Sequence, residues 1–172
     1  IFGQHKLKPS RLYNSVKSKA YLFSGVEIRW KSEIDDGQTP IEASFHFPGG
    51  LSDYLRETLG GSSTYSNQNF SGNVDFNSKF NTPGKVEWAI NWTPARDGFI
   101  QSYCNTVPTP SGGTHETGFR QAIVRGLRSF GDLVGNKKAA DITADDALAG
   151  GAIMLSVFLR DPQFQGQTKD RL

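Results

Sequence analysis

Near the C-terminal end of this chain of 172 residues runs Asp161-Pro162-Gln163-Phe164-Gln165-Gly166-Gln167-Thr168-Lys169-Asp170. Its residue types suit one kind of chemistry, the holding of an anion. Lys169 supplies a point charge, Gln167 a neutral N–H donor, and Gly166 lets backbone N–H groups approach where a Cβ would stand in the way. The GxxxxGK[ST] spacing of a P-loop is absent, so this is not a self-contained phosphate cradle. Two readings of the loop follow from the residues alone, a phosphate-reaching loop and solvated surface.

A loop can present a lysine only if something rigid delivers it. The apolar run from Ala152 to Leu159 reads as a buried strand, which Asp161-Pro162 stops. Upstream of it the longest predicted helix starts after Pro108-Thr109-Pro110-Ser111-Gly112-Gly113, with Thr114 as N-cap and Glu116 in the first turn, where the helix dipole favours an anion. Phe119, Ile123, Leu127, Phe130 and Val134 recur at helical spacing, which predicts one apolar face lying across a sheet. Arg125 and Arg128 are neighbours three residues apart, and Arg120 lies two turns before Arg128, about 80° around the helix. The three arginines read either as a solvated edge or as a basic surface for phosphates. His115 beside the helix start reads as a structural hydrogen-bonding or exposed residue, since no serine or cysteine nucleophile with a matching carboxylate accompanies it. Cys104, within a predicted strand, reads as a small apolar filler.

The remaining pattern is that of a mixed fold. Pro9 suits a first helical position, and Leu12, Val16, Ala20 and Phe23 give a helical stripe ending near Gly25, with Lys8, Arg11, Lys17 and Lys19 outward. Residues 26–30 and 43–47 alternate around Asp35-Asp36-Gly37 as a β-hairpin, with His46 on its polar face. Leu51 to Leu59 is a short helix closed by Gly60-Gly61. Residues 74–76, 86–92 and 99–104 are strand candidates with turns at Pro83-Gly84 and Asp97-Gly98. Thr143-Ala144-Asp145-Asp146 opens a brief helix with a capping-box pattern, ended by Gly150-Gly151, and Thr168 is a candidate cap for a further helix.

Composition narrows the function classes. Hydrophobic residues make up 36% of the chain and include 12 Phe and 3 Trp, enough for a core without disulfides. One cysteine excludes an internal disulfide and, with three scattered histidines, argues against a zinc site; it is compatible with the cytoplasmic setting expected here. A net charge of +2 does not by itself announce a nucleic-acid binder.

Gln167-Thr168-Lys169 resembles the QTK loop of the GHKL-type ATPase subunits of bacterial type IIA DNA topoisomerases. The run from Ser102 through Asn105, Gly112-Gly113-Thr114-His115 and Gly118-Phe119-Arg120 resembles a second motif of the same subunits, in the right order and separation. Residues 48–55 and 86–92 are more similar to the topoisomerase IV (ParE-type) than to the gyrase form. The resemblance implies an α+β fold, a two-layer mixed sheet with helices on one face and a left-handed βαβ crossover, similar to ribosomal-protein domains. It implies that residues 1–172 are a single transducer domain of a longer protein, between an ATP-binding domain and a partner- and DNA-binding region. Gln167 and Lys169 would then be cofactor-binding residues meeting the γ-phosphate of ATP, bound with Mg²⁺ in the neighbouring domain, with no catalytic or metal-binding residue in this chain and an inactive fragment when isolated. Arg120, Arg125 and Arg128 are the DNA-facing candidates, because the family walls a DNA passage with this domain. The implied partners are a ParC-type cleavage subunit in a heterotetramer, double-stranded DNA, and a second copy joined through the ATP-binding domain, with no membrane. The transducer domain of the gyrase subunit is the nearer alternative. The others are an RNA-binding module of the same fold, which does not need these two motifs, and a related ATPase of the chaperone or mismatch-repair kind, which would not be expected to show the full Asn105 to Arg120 segment.

Overall fold

The computed structural model describes residues 8–77, 83–95 and 97–172. The chain divides into two compact units, Ile1–Tyr54 and Leu55–Leu172.

In the first unit, helix α1 (Pro9–Leu22) begins with its proline at the first helical position, where the missing N–H has no helical partner to lose. Strands β1 (Glu27–Lys31) and β2 (Glu42–His46) pair antiparallel with Glu27 opposite His46. Asp36 nucleates the turn between them, its Oδ1 accepting from the backbone N–H of Gln38 and Thr39 and from the Thr39 hydroxyl. The predicted stripe of α1 is rotated in the structure. Leu12 and Phe23 are exposed, and Tyr13 instead packs edge-on to Trp30 and Phe45 at 5.6 and 5.1 Å between centroids. Aromatic partners displaced the aliphatic spacing as the determinant of the buried face. Helix α2 (Leu51–Leu59) starts at the end of this unit, and its Tyr54 ring stacks on Tyr21 at 4.5 Å.

The second unit is built on a five-stranded mixed sheet of β3 (Phe70–Asn77), β4 (Pro83–Trp92), β5 (Phe99–Cys104), β6 (Val107–Pro108) and β7 (Gly151–Leu159). The order across the sheet is β3-β4-β7-β5-β6. The last strand in sequence is thus the middle one in space, antiparallel to β4 and parallel to β5. That place explains its composition, since a strand buried on both faces needs a continuous apolar run. Its first seven residues are all buried.

The parallel step from β5 to β7 is made through β6, helix α3 (Thr114–Leu133), a 3-10 turn (Lys137–Asp141) and helix α4 (Ala144–Leu148). Both helices lie on the sheet face that carries Trp88, Ile90, Ile100, Ile153 and Leu155, where Phe119 of α3 and Leu148 of α4 complete the core. The Trp92 indole N–H donates to Ala147 O at 2.8 Å and fixes α4 to the sheet. The mixed sheet with helices is the fold class expected from the resemblance.

Four local expectations are corrected. Pro83 and Gly84 are strand residues paired with Asn77 and Phe76, not a turn. Gly113 occupies the cap position of α3, and Thr114 is its first helical residue. The apolar stripe of α3 packs only along the helix's first half, because Phe130 is 62% and Val134 59% exposed. Thr168 caps no helix, and residues 170–172 run without helical structure.

Candidate functional site

After β7 the chain closes a small loop. The Gln165 N–H donates to Arg171 O at 2.8 Å, which leaves Gly166, Gln167, Thr168 and Lys169 at the tip. Gly166 has φ +78° with open space where a Cβ would be. Lys169 has φ +59°, a left-handed conformation that costs a non-glycine residue on the order of 1 kcal/mol. Gln167 and Lys169 are both exposed. The Lys169 ammonium lies 5.8 Å from the Phe164 ring centroid, a cation–π contact that leaves its N–H donors accessible. A cation, an amide and a tip without bulk fit a terminal phosphate offered from outside the chain.

The loop is anchored on its far side. Residues 170–172 lie along the segment leading into α3: Ser111 N–H donates to Asp170 O at 3.0 Å, Leu172 N–H to Gly112 O at 3.2 Å, and Thr114 N–H to Leu172 O at 3.2 Å. The two sequence motifs, 53 residues apart between Thr114 and Gln167, are therefore neighbours in space. Gly113 makes the approach possible. Its φ of +150° is open only to glycine, and a Cβ there would collide with Leu172 O and lie 2.9 Å from Leu172 N.

Beneath this segment runs a chain of polar side chains. Ser102 Oγ donates to Glu116 Oε1 at 2.5 Å, Ser102 and Thr109 hydroxyls are 2.7 Å apart, and Thr109 Oγ1 is 3.1 Å from His115 Nε2. A hydroxyl has one proton to give, so the shortest contact orders the rest: Thr109 donates to Ser102, and His115 donates from Nε2 to Thr109. Ser102 and Thr109 are buried at 5% and 1% exposure, so the bond between them is made away from water, while those to Glu116 and His115 reach partly buried residues. His115 Nδ1 is buried without a hydrogen-bond partner. Burial holds the His115 imidazole below its ordinary range, against the opposing pull of Glu116. The expectation of a structural histidine holds, while Glu116, read from sequence as a dipole partner, binds Ser102 as well. Ser102 and Thr109 were not singled out from sequence, since nothing in their spacing reveals that they face one carboxylate.

Arg120, Arg125 and Arg128 are brought to a single groove of about 540 Å³ along α3, together with Gln121 and Asp132. Arg128 is partly committed, donating from Nε and Nη2 to Ile142 O at 3.1 and 2.7 Å. Cys104 is buried and its thiol is pushed up to about 11 by burial, so it stays protonated at neutral pH and serves as a filler. Among the described residues, no group of three or more His, Cys, Asp or Glu could hold a metal ion, and no helix is long and apolar enough to cross a membrane.

Comparison with known proteins gives this geometry its family. A family model described as DNA gyrase B matches residues 50–172. The B subunit of DNA topoisomerase 4 from Caulobacter vibrioides is 51% identical across the whole chain, which spans 25% of that protein, and its counterpart from Salmonella typhimurium is 36% identical with 26% spanned. The chain thus covers about a quarter of the curated relatives it matches. Among solved structures, the 43K ATPase domain of Thermus thermophilus gyrase B aligns with TM-score 0.80 and 28% identity over 96% of this chain and 43% of that one. The topoisomerase IV ATP-binding domain of Francisella tularensis aligns with TM-score 0.73 and 27% identity over 98% of this chain and 43% of that one. The chain belongs to the DNA gyrase B family.

Proposed function

We propose that residues 1–172 form the transducer domain of the topoisomerase IV ATPase subunit, in which the loop at Gln167 and Lys169 senses the γ-phosphate of ATP held by a neighbouring domain. The observation that carries this reading is the exposed tip itself: Lys169 is held in a left-handed backbone conformation with its ammonium accessible. Lys169 neutralises terminal phosphate charge and Gln167 adds a neutral hydrogen bond. ATP with Mg²⁺ supplies the bond that is broken, and its ligands and general base belong to sequence outside this chain. Loss of the γ-phosphate frees the loop, and the domain moves relative to its neighbour. The groove of Arg120, Arg125 and Arg128 serves as a sequence-independent contact to double-stranded DNA, coupling hydrolysis to strand passage beside a ParC-type cleavage subunit. The corresponding domain of DNA gyrase is the second reading, favoured by the Thermus thermophilus structural likeness.

The test is Lys169→Ala in the complete protein. A charge-assisted hydrogen bond is worth roughly 1.5–3 kcal/mol, so turnover should fall about ten- to a hundredfold. ADP, which lacks the γ-phosphate, should bind almost as before. Normal turnover in this variant would return the loop to solvated surface.

A further inference from the structure

We propose that the Gly112-Gly113-Thr114 segment is the seat of the sensing loop, with Gly113 as a positioning residue that fixes where Lys169 stands. The proposal rests on the sensor reading of Lys169 and adds the device that aims it.

A lysine on a surface loop samples many positions, and a phosphate contact made only in a closed state needs few of them. The backbone of Lys169 stays in its left-handed conformation only because both flanks are tied. One tie is internal, from Gln165 N–H to Arg171 O. The other is the three-bond ladder between residues 111–114 and 170–172, which starts at the residue next to Lys169. That ladder needs the two backbones in contact, and Gly113 is where they touch: an added Cβ meets Leu172 backbone atoms, which unlike a flexible side chain cannot swing aside.

The seat is itself rigid. Thr109 N–H donates to Ser102 O at 2.9 Å and Gly112 N–H to Thr109 O at 2.8 Å, closing a turn around Pro110 and Ser111. The Ser102 hydroxyl then ties Thr109 to Glu116 in the first turn of α3. The loop is thereby referenced to β5 and to α3 rather than left at the end of β7. A movement of α3 against the sheet would reach Lys169 through backbone contacts alone.

The experiment is a double-variant cycle in the complete protein, with Gly113→Ala, Lys169→Ala and the pair measured for ATP turnover and ADP affinity. Gly118→Ala is the control, because a Cβ on Gly118 meets nothing within 4 Å. Gly113→Ala should cut turnover about tenfold or more while ADP affinity stays within about twofold, as expected for misplacement by an ångström or so. In the Lys169→Ala background the same substitution should add less than about a twofold loss, because a misplaced side chain that is already absent has nothing left to lose. Should Gly113→Ala fail to fold, Leu172→Pro, which removes the N–H given to Gly112 O, carries the same cycle. Normal turnover in Gly113→Ala with reduced turnover in Lys169→Ala overturns the seat and leaves the sensor standing. Losses that multiply in the pair also overturn it, since they mean general damage. Normal turnover in Lys169→Ala overturns the sensor reading, and the seat with it.

Discussion

The two ends of α3 differ more than its sequence period suggests. At its start the helix is joined to the sheet through the Ser102–Glu116 bond and to the residues after Lys169 through Thr114 N–H and Leu172 O, and Phe119 is 8% exposed against the sheet core. At its other end Phe130, Leu133 and Val134 are 62%, 85% and 59% exposed. Both ends obey the same apolar spacing, so the pattern records a face and not what lies against it. The start of the helix is thus held by its apolar face and lies beside the loop that carries Lys169, while the far end is held instead by Gly131, buried against Ala139 of the 3-10 turn, and by Arg128 at Ile142 O.

The largest effect separates the two ends directly. Phe119→Ala should destabilise the 172-residue chain by about 3–5 kcal/mol through the cavity it opens beside Trp88 and Ile123. Phe130→Ala, at an exposed site, should change stability by less than about 0.5 kcal/mol. Urea unfolding of both variants makes the comparison, and equal losses would mean that the far end of α3 is packed after all.

A smaller effect tests the polar half. Ser102→Ala removes the hydroxyl between Glu116 and Thr109 and leaves a carboxylate oxygen and a threonine hydroxyl short of partners, at a cost of about 1–3 kcal/mol. Thermal unfolding should register it, and a Ser102→Ala chain as stable as the parent would show that water replaces the hydroxyl at no cost.

The arginine groove divides in the same way. Arg128→Ala gives up two hydrogen bonds to Ile142 O and should cost about 1 kcal/mol of stability. Arg125→Ala should cost none, yet, if the proposed DNA contact is made, lower the slope of DNA affinity against salt by about one counterion in the complete protein. Equal slopes for parent and Arg125→Ala would mark the groove as a solvated edge.

What the sequence made legible follows from the range of the forces involved. The strand at Ala152–Leu159, the hairpin around Asp36 and the capping box at Thr143 and Asp146 are written in local residue types, and all three are present. The central place of β7, the two-residue strand β6 and the 3-10 turn are not, because they depend on which segments meet after collapse. At the candidate site the motif residues were visible and their union was not. Gly113 stands in sequence simply as the last residue before the predicted helix, and only its contact with Leu172 gives the reason for a glycine at that position. The rotation of α1 has a similar origin, since Tyr13 found aromatic neighbours that no helical period encodes.

The smallest effect sits at the joint itself and depends on pH. In the neutral form His115 donates from Nε2 to Thr109 and presents a bare Nδ1 to a buried position without a partner. Protonation would add a donor there with nothing to receive it, which is the physical content of a pKa lowered by burial. With the folded value below the unfolded one, the unfolded chain binds the proton more readily, so stability should be level above the ordinary imidazole value near 6.5 and fall as pH drops below it. Partial exposure of the ring and the Glu116 charge both limit the loss, so a decline of a few degrees in Tm between about pH 7.5 and 5.5 is the expected size. His115→Gln keeps a donor for Thr109 and cannot titrate, and its Tm should stay flatter over the same interval. The two curves should meet at the acid end and part at neutral pH, with the parent the more stable. A parent curve that rises on acidification would mean that Glu116 outweighs burial, and that the start of α3 tightens in acid instead of loosening.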